Sequence, residues 1–319
     1  MAKVDKKLIS IITPCFNEEG NVHACVSRTR EIFRTALKDY KYEHIFTDNA
    51  STDNTVPILR EIASADEQIK VIVNSRNVGP FRNIFGALAF ARGNAVVPLM
   101  AADLQDPPEV IVDFIRAWED GYKIVYGIRA KRREKLIMVL IRKLYYRLLR
   151  LAASSDIPND ASEFQLLDRS IVDQIMKVDD YYPYVRGLVA QTGASRKGVK
   201  YTWESRYQGK SKNSLYDLFD QGLNGFVATG NGFIRLIILL GGSTALLSIL
   251  YAVIQLTMNL LDLGKVPAAG IPTIIIAIFF FAGVQLFFLG VIGEYVGSIH
   301  QQVRRGLSAE ITEKINIPS

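Results

Sequence analysis

Cysteine and histidine are scarce: among 319 residues there are 2 cysteines, Cys15 and Cys25, and 3 histidines, His23, His44 and His300. So few thiols and imidazoles exclude a disulfide framework and argue against a zinc site built on Cys or His. The opening MAKVDKKLISIITP lacks the long apolar core and small-residue cleavage site of a secretory leader, because its apolar run soon meets Pro14. The region that follows is therefore expected in the cytosol. Internal repeats and low-complexity linkers are absent as well. What is plentiful is apolar surface: hydrophobic residues make up 49% and charged residues 22%, too apolar for a disordered chain and high for an ordinary soluble enzyme. The length allows one full-sized catalytic domain and something smaller.

The apolar excess is concentrated late in the chain. No charge interrupts Leu236–Leu261 or Val266–Gly293, and each run exceeds the roughly 20 residues needed to cross a bilayer. Two transmembrane helices are the simplest expectation. Basic residues precede the first run in Arg196–Lys212 and follow the second at Arg304 and Arg305, while the loop between carries only Asp262 and Lys265. Both termini are thus expected on the cytoplasmic face of the inner membrane, and the spans leave room for helix packing between subunits. The net charge of +6 is also local, for Glu134 is the lone acidic residue in Arg129–Arg150. There Leu136, Val139, Leu140, Leu144, Leu148 and Leu149 can share one helical face. A helix over 134–153 packed on a core with a solvated basic face is the plain reading; with two spans in the same chain, an anionic membrane surface is the preferred one.

Earlier in the chain, β-branched runs at Leu8–Thr13, Glu43–Asp48, Lys70–Asn74, Ala95–Met100 and Lys123–Ile128 alternate with stretches of helical spacing. This predicts an α/β domain with an open, mainly parallel sheet. Ligands of such sheets bind beyond the carboxyl ends of the strands, where this chain places TPCFNEE, TDNASTD, NSRNVG and MAADLQD. In the last, Asp103 is either a helix cap or, with hard oxygen neighbours, a ligand for Mg²⁺ or Mn²⁺. Asp48, with Asn49, Ser51 and Asp53, is open in the same way between an Asx-turn and a group that reads a base or ribose.

IITPCFNEEGN resembles the VVPxYNEExN opening of the family-two inverting glycosyltransferases of the GT-A fold. TDNASTDNT is similar to their VDDGSxD, SRNVGPFRNIFGALAFARG to RNxGxxxAxxxGxxxAxG, and AADLQDPPE to DADLQxPPE. DASEFQLLDR resembles DAGDFRLLDR, and VRGL and RYQGKSK match the VRGL and RxxGxSK of members that glycosylate polyprenyl phosphates. The likeness runs from about Leu8 to Lys212. Within the family it is nearest to bacterial bactoprenol glucosyltransferases, with dolichyl-phosphate mannose synthase a cousin. Five departures stand out: Ala101 replaces the first Asp of D-x-D, Asn49-Ala50 replaces Asp-Gly, and Glu163 and Gln165 replace Asp and Arg.

The resemblance implies a GT-A nucleotide-sugar-binding domain over 1–212, an interface helix over 213–231, two transmembrane helices within 232–300 and a cytoplasmic tail over 301–319. It implies transfer from a UDP-sugar, UDP-glucose being the first choice, to undecaprenyl phosphate, for cell-envelope glycan modification; no nucleic acid is among the implied partners. Pro14, Phe16, Glu18, Asp48, Arg76, Asp103, Arg206 and Lys212 would bind the nucleotide sugar, Asp103 and Gln105 the Mg²⁺ or Mn²⁺, and Arg129 and Arg132 the acceptor phosphate. Asp160 and Asp103 would be the catalytic carboxylates. A phosphate monoester is already mostly dianionic near neutral pH, so positioning and charge control matter more than a strong base. The rival readings are transfer to diacylglycerol or a growing polysaccharide, and a non-catalytic nucleotide-sugar-binding scaffold.

Overall fold

The computed structural model describes residues 6–129, 161–178, 180, 183–207, 241–244, 246, 247, 250, 251, 253, 254, 257, 261, 271–304 and 310–317. The chain divides into two units: Met1–Ile141, Ser155–Tyr216 and Gly306–Ser319 form one, and Arg142–Ser154 with Asp217–Arg305 the other.

In the first unit β1 (Leu8–Cys15), α1 (Val22–Thr35), β2 (Lys41–Asp48), α2 (Thr55–Ala65), β3 (Ile69–Asn74), α3 (Pro80–Leu88), β4 (Ala95–Val97), α4 (Val110–Glu119) and β5 (Ile124–Arg129) alternate as the apolar runs predict. β6 (Ala161–Asp168), α5 (Arg169–Ile175), α6 (Val185–Gln191), β7 (Arg196–Tyr201) and β8 (Ile311–Ile315) complete it. The strands form one sheet in the order β7-β5-β6-β4-β1-β2-β3-β8. β1 is parallel to β2 and β4, β2 to β3, and β5 to β7; β6 runs antiparallel to β4 and β5, and β8 to β3.

The strands read as continuous apolar runs because both sheet faces are covered. Neighbouring residues diverge to opposite faces: Ile11, Phe46 and Val71 pack in one buried cluster with Phe114 and Phe164, whereas Ile12, Ile45 and Ile72 pack in the other with Leu88 and Val96. This leaves polar side chains to collect at the carboxyl edge.

In the second unit α7 (Ile271–Arg304) contains the one stretch among the described residues, Phe280–Arg304, long and apolar enough to span a bilayer. Phe280, Phe281, Leu286, Phe287, Leu289 and Ile292 are all exposed. The first expected span lies largely outside the described residues, as do the basic helix over 134–153 and the interface helix over 213–231. The expected tail over 301–319 is corrected: Arg304 still belongs to α7, and Ile311–Ile315 returns to the sheet as β8. The reason is the edge of β3, whose free N–H and C=O groups need a partner.

Candidate active site

Two loops at the centre of the sheet are stitched together by side chains that bond backbone. After β1, the Asn17 amide donates to Ser51 Oγ (2.8 Å) and the Glu18 amide to Thr55 Oγ1 (2.8 Å), while the Thr52 amide donates to Asn17 Oδ1 (2.7 Å). Asp48, at the end of β2, is fully buried and accepts from both the amide and hydroxyl of Ser51. Burial pushes its carboxyl up despite these bonds. Asp48 therefore makes an Asx-type turn. Asn49 continues the stitching to the loop after β3, accepting from the Val78 amide (2.9 Å) and donating to Asn77 Oδ1 (2.8 Å). An Asp at 49 could not donate that second bond, which accounts for one departure from the family pattern.

The loop after β4 is held differently. Asp103 is buried and accepts the Gln105 amide at 3.1 Å. Its other oxygen takes Arg206 Nε at 2.8 Å, and the same guanidinium reaches Glu18 at 3.3 Å. Asp103 is thus no cap of α4, which starts at Val110. The segment after β7 lies along this loop, with the Glu204 amide on Gln105 O (2.9 Å) and the Tyr207 amide on Asp103 O (3.1 Å). Arg28 on α1 fastens it by pairing with Glu109 (2.6 Å) and Glu204 (3.3 Å).

Arg129 sits at the end of β5, where its Nη2 contacts both oxygens of buried Asp106 at 3.1 Å. Its guanidinium carbon lies 4.9 Å from the centre of the Trp203 ring. Tyr201 donates to Asp106 and lies 3.2 Å from Ser162 Oγ; burial, then the Asp106 charge, pushes its hydroxyl up to about 12. Half-buried Glu163 is raised by burial, with Arg186 and then Arg129 opposing the shift.

Three non-glycine residues adopt left-handed backbone at these loops, Asn17, Ala50 and Leu104 (φ 55°, 61° and 59°). Such strain persists where surrounding contacts over-determine it and collects at functional sites. Of the expected donor-site residues, Pro14 lies in β1 opposite Thr47, Phe16 is exposed just after that strand, and Arg76 is exposed in the loop after β3. Arg206, Asp103 and Glu18 are brought into direct contact. Asp160, Arg132 and Lys212 lie outside the described residues. Sequence reasoning missed Asp106, Tyr201, Trp203, Glu204 and Arg28; for the first four the one local signal was proximity to the DLQDPPE and RYQGKSK strings, and Arg28 on α1 had none.

Among the described residues no group of three His, Cys, Asp or Glu could hold a metal ion. The hard oxygens of Asp103 and Gln105 nonetheless fit Mg²⁺ or Mn²⁺ of the kind that takes one or two protein ligands and completes its shell from substrate phosphates. Two carboxylates sharing one guanidinium are net negative, so Glu18, Asp103 and Arg206 alone would repel a diphosphate. A divalent cation held beside Asp103 would reverse that sign.

An open α/β sheet with a carboxylate loop and laced polar turns at its carboxyl edge defines a GT-A-like protein. The model of glycosyl transferase family 2 matches residues 10–176, and the chain belongs to that family. The chain is 33% identical over 296 residues to the uncharacterized glycosyltransferase YkcC of Bacillus subtilis, covering 92% of this chain and 90% of that one. It is 30% identical over 297 residues to the SfII prophage-derived bactoprenol glucosyl transferase of Shigella flexneri, covering 93% and 94%. In fold it matches glucosyl-3-phosphoglycerate synthase of Mycobacterium tuberculosis, solved with Mn²⁺, UDP-glucose and glycerol 3-phosphate, with a TM-score of 0.51 at 18% identity over 70% of this chain and 78% of that one.

Proposed function

We propose that the protein is a membrane-bound inverting glycosyltransferase that moves a hexose, glucose being the first choice, from a UDP-sugar to a polyprenyl phosphate on the cytoplasmic face. The observation that carries this reading is the junction of Asp103, Glu18 and Arg206, which joins a carboxylate loop to a cation of the RYQGKSK string. The likeness to proteins named bactoprenol glucosyl transferase, over most of both chains, supports a polyprenyl-phosphate acceptor.

The roles follow from chemistry. Phe16 and Arg76 flank the nucleotide base beside Asp48, and Arg206, joined by Lys212, faces the diphosphate. Asp103 and Gln105 would hold a Mg²⁺ or Mn²⁺, which when bound would supply positive charge at the leaving diphosphate. An oxygen of the acceptor phosphate forms the new bond to the anomeric carbon as the bond to the diphosphate breaks on the opposite side; the electron pair leaves with UDP and the configuration inverts. Arg129, already oriented by Asp106 and Trp203, meets the acceptor phosphate with Arg132, so little ordering is left to do on binding. Asp160 orients the acceptor.

Connectivity bears on the membrane topology. β7 and β8 belong to the same sheet, so if α7 crosses the membrane, the chain between them crosses an even number of times. Two spans with both termini on the cytoplasmic side is the simplest solution.

The test is to incubate purified protein with a panel of radiolabelled nucleotide sugars and undecaprenyl phosphate. A lipid monophosphate sugar formed from UDP-glucose is expected. UDP-sugar binding without any lipid product would instead mark a scaffold, and product only on diacylglycerol would move the acceptor.

A further inference from the structure

β8 reaches the donor side of the site. It pairs antiparallel with β3, Val71 opposite Ile315, Ile72 opposite Lys314 and Val73 opposite Glu313. The register then shifts where β3 gives way to its loop, and the Ser75 amide donates to Glu310 O at 2.8 Å. Two anchors fix the strand from outside the ladder. Arg60 of α2 forms two bonds with the Glu313 carboxylate (3.0 and 2.7 Å). Asn316, in left-handed backbone (φ 56°), donates from Nδ2 to Ala63 O at 2.7 Å and Ile69 O at 2.9 Å, tying the end of α2 to the start of β3. Ile311 also joins Thr47, Asn74, Arg82 and Asn83 in lining a cavity of about 290 Å³ against α3.

The loop that β8 reaches carries Arg76, and its Asn77 and Val78 hold Asn49 next to Asp48. We propose that the C-terminal strand is a positioning element of the donor site: by pairing with β3 it fixes the loop over 75–79, so that affinity for the donor nucleotide depends on residues 310–316. This rests on the reading of that edge as the nucleotide site. Because β8 follows α7 by a few residues, the proposal also makes the segment after the candidate membrane helix part of donor recognition.

Alternate residues of an antiparallel strand donate to the neighbour, so in a Glu313→Pro/Lys314→Pro double variant of the full chain one proline must remove a ladder bond. UDP affinity by calorimetry is expected to fall about five-fold or more, while kcat at saturating donor stays within about two-fold of the parent, and hydrogen exchange over 75–79 speeds up. The gentler Arg60→Glu variant is expected to weaken UDP binding less, with Arg60→Glu/Glu313→Arg restoring it; this series decides if the proline variant does not fold. Unchanged UDP affinity in a proline variant whose β3 amides have become exchangeable, or a swap that restores nothing, overturns the proposal. Should the parent itself fail to bind UDP, the nucleotide reading fails, and exchange over 75–79 still reports whether β8 orders the loop.

Discussion

The two halves of the site edge are built by different means. Around β1, β2 and β3 the loops are held mainly by side chains bonded to backbone amides, as Asn17, Ser51, Thr55 and Asn49 show. Around β4, β5 and β7 they are held by ion pairs: Asp103 with Arg206, Asp106 with Arg129, and Arg28 with Glu109 and Glu204. Bonds to backbone fix a shape without leaving charge over, as a nucleoside cradle requires. Ion pairs can exchange partners when other charged groups arrive, which is what the proposed transfer would require.

The largest expected effect lies in the ionic half. Asp103→Asn keeps the size of the side chain but loses the charge that faces Arg206 and would hold the proposed cation, so turnover is expected to fall about a hundred- to a thousand-fold with the fold intact by circular dichroism. Turnover near the parent's would sever the site from this loop. Next comes Arg129→Gln, which strands buried Asp106 without its guanidinium and should cost about 3 kcal/mol in denaturant unfolding. Adding Asp106→Asn should recover much of that loss; a double variant no more stable than the single one would show that the pair is not what matters.

The other half makes a prediction of opposite sign. Ala50 occupies a left-handed position where the family pattern has Gly. Ala50→Gly removes a strain of about 1–2 kcal/mol against a smaller entropic cost, so stability should rise by about 0.5–1 kcal/mol. A lower unfolding midpoint would contradict that.

The smallest effect is a pH dependence at the opposite edge of the sheet, where Asp168 pairs with Ala95 at the start of β4. Burial pushes the Asp168 carboxyl up, but bonds from Ser170 and the Trp118 ring nitrogen outweigh it and hold the group below its ordinary value. Its contribution is therefore present above the unfolded pKa of about 3.9 and is lost as pH falls through the folded value. Thermal unfolding followed from pH 5 to pH 2 should show an acid limb that Asp168→Asn flattens; an unaltered limb would assign the dependence elsewhere.

These contrasts also mark what a sequence discloses. The first five strands were legible because apolar runs of strand length sit between helical spacings, and the polar strings after them were legible because open α/β sheets use that edge. The partners were not. Asp103 meets Arg206, and Asp106 meets Arg129 and Tyr201, through the placing of β7 beside β5, and no local pattern encodes a pairing across the sheet. β8 escaped notice for a related reason: ITEKI follows a long helix, is only 5 residues long and is half exposed, so it becomes a strand only where β3 offers an edge. The departure at Ala50 was visible in the sequence, but its cost became visible only with its φ.

The central claim is transfer of a sugar to a lipid phosphate with inversion. UDP-α-glucose labelled with ¹³C at the anomeric carbon, incubated with the protein and undecaprenyl phosphate in nanodiscs, reports this directly through the one-bond carbon–proton coupling of the product. A β-linked polyprenyl monophosphate glucose is the predicted result. An α-linked product, or labelled glucose that never leaves UDP, would contradict the account.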